Sequence, residues 1–76
     1  MAVLEKTVNE VFASAWEVAV RENPILLAQH HSEVLIARTR QKITELLAQG
    51  CSISESRSRI IKDLLDPHSP LYQNPH

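Results

Sequence analysis

The stretch Gln49–Ile61, QGCSISESRSRII, holds the chain's only glycine and only cysteine, followed by a serine at every second position. Its reading decides the fold, because it predicts the end of one helix and the start of the next within four residues. Gly50 stands where a helix ends in a left-handed residue, a conformation that costs glycine nothing and other residues a steric clash. Cys51 follows as the residue that packs back on Leu46. Ser52 and Glu55 have the S-x-x-E spacing of a capping box, whose serine is worth roughly 1 kcal/mol to the helix it starts.

Upstream of this corner, Ile25, Ala28, Leu35, Ile36, Ile43, Leu46 and Leu47 form an apolar stripe, so one helix is expected over 24–49. Leu27 and Val34 point almost the other way, giving the first half of that helix a second apolar face. Such a face calls for cover by another element or another chain. Asn23-Pro24 predicts the helix start, since asparagine is a good N-cap and proline is tolerated at the first helical position. Before it, Leu4, Val8, Val11, Phe12, Ala15 and Ala19 recur at three- and four-residue intervals, predicting a helix over 3–22 that buries one stripe. Glu10, Ser14, Glu17 and Arg21 take its opposite side, with Trp16 and Val18 at the stripe's edges.

Downstream, Ile53, Ile60, Ile61, Leu64 and Leu65 share one side of a third helix over 52–66, which ends before Asp66-Pro67. Arg57 falls into that apolar stripe, where its stem covers hydrophobic surface or its guanidinium pairs across an interface. The segment DPHSPLYQNPH has no periodicity, and its prolines predict an extended or turn-rich tail over 67–76, whose sizeable apolar groups Leu71 and Tyr72 either fold back over a core edge or stay frayed, or else dock a partner. The expected fold is therefore all-α: a three-helix domain over 1–66 followed by that tail.

Seventy-six residues provide at most one small core, and the formal net charge of −1 gives no strong bias toward charged partners. A lone cysteine excludes an intrachain disulfide and fits a cytoplasmic setting. The charged residues of MAVLEKTVNEVF interrupt any signal-peptide core, and no segment reaches the length of a membrane span. One glycine excludes a glycine-rich phosphate loop, and Cys51 has no identifiable base beside it in sequence. His30 and Glu33 are one helical turn apart, but adjacent His30 and His31 cannot share a face, and zinc needs three or four converging ligands. No catalytic residue, metal site or cofactor is therefore assigned.

Two binding classes remain. From Ile43 to Leu65, two helices about a glycine turn resemble the helix-turn-helix family, which implies nucleic-acid binding through the helix that follows the turn. Bulky Leu46 stands where that family usually has a small residue. Six basic side chains face two acidic ones between positions 34 and 62, and Arg59 and Lys62 share a face that could meet phosphates. The basic groups are otherwise scattered around the helices, which disfavours this class. The leading expectation is a small, non-enzymatic regulatory or adaptor protein, or an accessory subunit, that binds another protein. A core of this size rarely supplies more than roughly 3–5 kcal/mol, so self-association as a homodimer is also expected. The expected interface residues are Trp16, Leu27, His31, Val34 and Arg38.

Overall fold

A computed structural model describes the backbone of residues 2–30 and 33–72 and the side chains of 4–29 and 33–72. The chain is all-α: α1 (Ala2–Glu22), α2 (Pro24–His30), α3 (Glu33–Ala48) and α4 (Ile53–Leu65), then a single 3-10 turn over Pro70–Tyr72. Helix α1 lies against α4, α3 and α2, α4 also meets α3, and the 3-10 turn sits on α3 and α4. The principal extents are 32 × 30 × 18 Å. A thickness of 18 Å is less than two helix diameters of about 10–12 Å, so the core is a thin seam.

The first helix buries Val8, Val11, Ala15 and Ala19, four of the six stripe positions expected. Leu4 shares their phase but stands in the first turn and remains 40% exposed. Phe12 and Trp16 flank the stripe half-buried, with ring centroids 5.2 Å apart. Asn23 then closes α1 and opens α2. Its backbone amide donates to the Ala19 carbonyl at 2.9 Å, and its side-chain oxygen accepts from the Leu26 amide at 3.2 Å. This is the N-cap bond expected of asparagine before a first-turn proline.

Within the helix expected over 24–49 the structure describes two helical segments, α2 and α3, on either side of residues 31–32, which lie outside the described residues. In α2 the buried residues are Leu26 and Leu27, whereas Ile25 is 70% exposed and Ala28 is exposed. In α3 the buried row is Leu35, Thr39, Ile43 and Leu46. Thr39 fits the apolar row because its hydroxyl donates to the Leu35 carbonyl at 2.8 Å.

The corner forms as expected except for the Glu55 half of the capping box, whose carboxylate turns to Arg59. Gly50 has φ +94°, the Cys51 amide donates to the Leu46 carbonyl at 3.0 Å, and the Gly50 amide donates to the Leu47 carbonyl at 3.1 Å. These two bonds are the Schellman pair. The Ser52 hydroxyl oxygen accepts from the Glu55 amide at 3.0 Å and caps α4. The Glu55 carboxylate accepts from Arg59 at 3.0 Å. Within α4 the buried row is Ser56, Ile60 and Leu64. Ile53 is in phase with that row but one turn ahead of it, at the helix end, and is 55% exposed.

Over 67–72 the tail is not extended but folds back on α3 and α4 as a strap, the cover of a core edge expected of Leu71 and Tyr72. Leu71 and Ser69 are buried. The strap supplies side-chain donors to two carbonyls near the end of α4, where the helix runs out of its own amide donors. The Ser69 hydroxyl donates to the Asp63 carbonyl at 2.8 Å, and the Tyr72 hydroxyl donates to the Leu64 carbonyl. Burial raises the Tyr72 phenol above its ordinary pKa, because the phenolate would lose its hydration. Residues 73–76 lie outside the described residues.

Candidate protein-docking groove

The site is built where α1 meets α2. Trp16 and Val20 are one turn apart on α1, and Pro24 and Ala28 are one turn apart on α2, so each helix presents a two-residue row. Leu27 forms the floor. Together these five residues line an open groove of 420 Å³. All five are apolar. Leu27 is 2% exposed and Val20 is 39% exposed, while Pro24 and Ala28 are exposed and Trp16 is half-buried. Ile25, next in the chain to Pro24 but not itself a lining residue, is about 60° around α2 from Ala28 and is the most exposed large apolar side chain of the described structure. On the neighbouring face of α1, Arg21 and Glu17 form an ion pair at 3.1 Å, with side-chain exposures of 70% and 72%. An apolar hollow of this kind can desolvate and hold apolar side chains.

Of the expected interface residues, the groove brings Trp16 and Leu27 together. Leu27, however, belongs to the chain's own core and does not form a second exposed face of α3. Val34 is 57% exposed on α3. Arg38 is half-buried and donates to the Leu71 carbonyl at 3.3 Å, so part of its donor capacity holds the strap. His31 lies outside the described residues, as does the side chain of His30. Val20, Pro24, Ile25 and Ala28 were not expected at an interface. Their four-residue spacings were visible, but the angle that sets α2 beside Trp16 was not.

The basic residues of α3 and α4 are largely engaged within the chain. Arg57 donates through Nε to the Ser14 hydroxyl at 2.6 Å, bridging α4 to α1. Arg59 pairs with Glu55 at 3.0 Å, and Arg40 lies over the Phe12 ring at 5.9 Å. Lys62 is exposed in the last turn of α4. A second depression of 300 Å³, lined by Leu4, Glu5, Val8, Arg40, Gln41 and Thr44, is of mixed polarity. Among the described residues no three histidine, cysteine, aspartate or glutamate side chains converge as metal ligands, and no helix is long and apolar enough to cross a membrane. No family model, curated protein or solved structure matches the chain.

Proposed function

We propose that this chain is a small, non-enzymatic binding module, an adaptor or accessory subunit of the cytoplasm, that docks another protein in the α1–α2 groove. The observation that carries this reading is the wholly apolar lining of Trp16, Val20, Pro24, Leu27 and Ala28, open to solvent beside Ile25 at 70% exposure. Covering a side chain such as Ile25 is worth about 1–2 kcal/mol, and the gain is larger when the groove loses its water at the same time. The engagement of Arg38, Arg40, Arg57 and Arg59 within the chain supports protein docking over nucleic-acid binding through Arg59 and Lys62.

Capture of the tagged chain's partners from its host's lysate, with and without nuclease, tests the proposal when it is run beside Ala28→Asp. Ala28 is exposed, so the substitution charges the groove without emptying the core. The expected result is a nuclease-resistant protein that the parent chain retains and Ala28→Asp releases. Equal retention by both, or loss of all bound material on nuclease treatment, would refute it.

A further inference from the structure

We propose that the groove's occupant is the same face of a second copy of this chain, packed antiparallel about a two-fold axis; this rests on the groove being a protein-docking surface. Two independent features make the face self-complementary. The first is shape. Ile25 is 70% exposed on α2, next in the chain to Pro24 of the groove lining, so one copy offers both an apolar knob and an apolar hole. A closed two-fold contact requires such a surface, since each copy must offer both parts. We place the two-fold axis across α1 near position 19.

The second feature is charge. Glu17 and Arg21 lie two residues either side of position 19, beside the Trp16–Val20 row, and both are largely exposed. In an antiparallel pair each Glu17 faces the partner's Arg21, and two ion pairs border the apolar contact. A parallel arrangement in the same register sets Glu17 against Glu17 and Arg21 against Arg21, and is repelled. The charge pattern therefore selects the antiparallel two-fold arrangement over the parallel one. A standard interface takes about 800 Å² per partner, roughly one-sixth of this chain's 5152 Å². The groove, Ile25 and the charged row must all enter the contact to approach that area, so the dimer belongs to the weak, micromolar class.

Sedimentation velocity from about 1 to 300 μM, the range of a weak contact, reads the association directly. The parent should pass from monomer to dimer, with the fluorescence of the single tryptophan shifting as Trp16 is covered. Ile25→Asp should weaken the dimer at least ~10-fold while leaving helicity unchanged. Arg21→Glu and Glu17→Arg each place like charges across the axis and should each weaken self-association roughly 10-fold. An equimolar mixture of these two variants should regain the parent's association as a one-to-one heterodimer. Both variants lose the same pair within α1, so recovery on mixing reads the contact between chains.

A parent that stays monomeric throughout, a dimer indifferent to Ile25→Asp, or no recovery on mixing would overturn the proposal. Should the parent stay monomeric yet capture a protein that Ala28→Asp releases, self-docking falls and the docking reading stands. If capture also fails, both fall.

Discussion

Replacing Ser56 by alanine should stabilise this protein. The Ser56 side chain is fully buried in α4, and its hydroxyl has no hydrogen-bond partner in the structure. A buried hydroxyl left unsatisfied costs about 1–3 kcal/mol relative to its hydrated state. Alanine removes that cost and adds a few tenths of a kcal/mol in helix propensity, about 0.5 at most. Against this stands the void left by one oxygen, about 0.3 kcal/mol at roughly 24 cal/mol per Å³. The net expectation is about 1.5 kcal/mol of stabilisation, equivalent to roughly 6–12 °C in Tm for a domain of this size. Urea unfolding followed by helical circular dichroism should show a higher midpoint at an unchanged m-value.

The same site supplies its own control. Ser56→Val keeps the site apolar but adds volume at a fully buried position, so it should destabilise by about 1–3 kcal/mol. A neutral or destabilising Ser56→Ala would refute the reasoning, because it would mean that the hydroxyl has a partner, such as a back-bond to the Ser52 carbonyl or a buried water. Such a partner is lost on substitution, and the sign of the effect reverses.

Gly50→Ala should cost about 1 kcal/mol, and the cost is purely conformational: φ is +94° and a Cβ there meets nothing within 4 Å, so an unchanged urea midpoint would contradict the Schellman assignment. Tyr72→Phe should lower stability by about 1 kcal/mol through loss of the bond to the Leu64 carbonyl, measured by the same unfolding curve. Folding raises the Tyr72 pKa, so stability should be level below the unfolded phenol's pKa of about 10 and fall as pH rises through the higher folded value; Tyr72→Phe should remove that alkaline loss, and an identical loss in both chains would count against the strap. Leu27→Asp should unfold the chain or cost about 4 kcal/mol or more, whereas Ile25→Asp should change monomer stability by less than about 0.5 kcal/mol; equal costs on thermal melting would refute the assigned phase of α2.

What was legible in the chain was mostly local. The Asn23 cap, the Gly50 turn and the Ser52 cap are each made by bonds that close within six residues, so residue type and spacing suffice to expect them. The buried rows of α1 and α3 were legible for a related reason, since a long helix with one apolar stripe has one sensible way to face a core. The side of α2 that is buried was not. PILLA is apolar in nearly every direction, so its composition is compatible with any phase, and tertiary packing chose Leu26 and Leu27. Periodicity also fixes direction around a helix but not extent along it, which is why Ile53 and Leu4 share the phase of buried rows and still end up exposed. Leu71 belongs to a segment with no period at all, and its burial is a long-range event. Trp16 could be expected at an interface from its type and its edge position, but the groove needs the angle between α1 and α2.

That angle gives the molecule its outward character. Along α1 the residues turned to the core include two alanines, Ala15 and Ala19, each fully buried, and α4 sets Ser56 in its own buried row. Small residues on both helices suit the close α1–α4 packing that dominates the fold. The larger side chains of α1's second half, Trp16 and Val20, are thereby left on the flank. Beside them α2 commits Leu26 and Leu27 inward and offers Pro24 and Ala28, which are too small to cover an indole. A large ring facing small neighbours leaves a hollow, and Ile25 is left exposed next in the chain to Pro24. The groove therefore follows from the size pattern of the internal contacts: the residues that bring α1 and α4 close are the ones that leave bulk on the open flank.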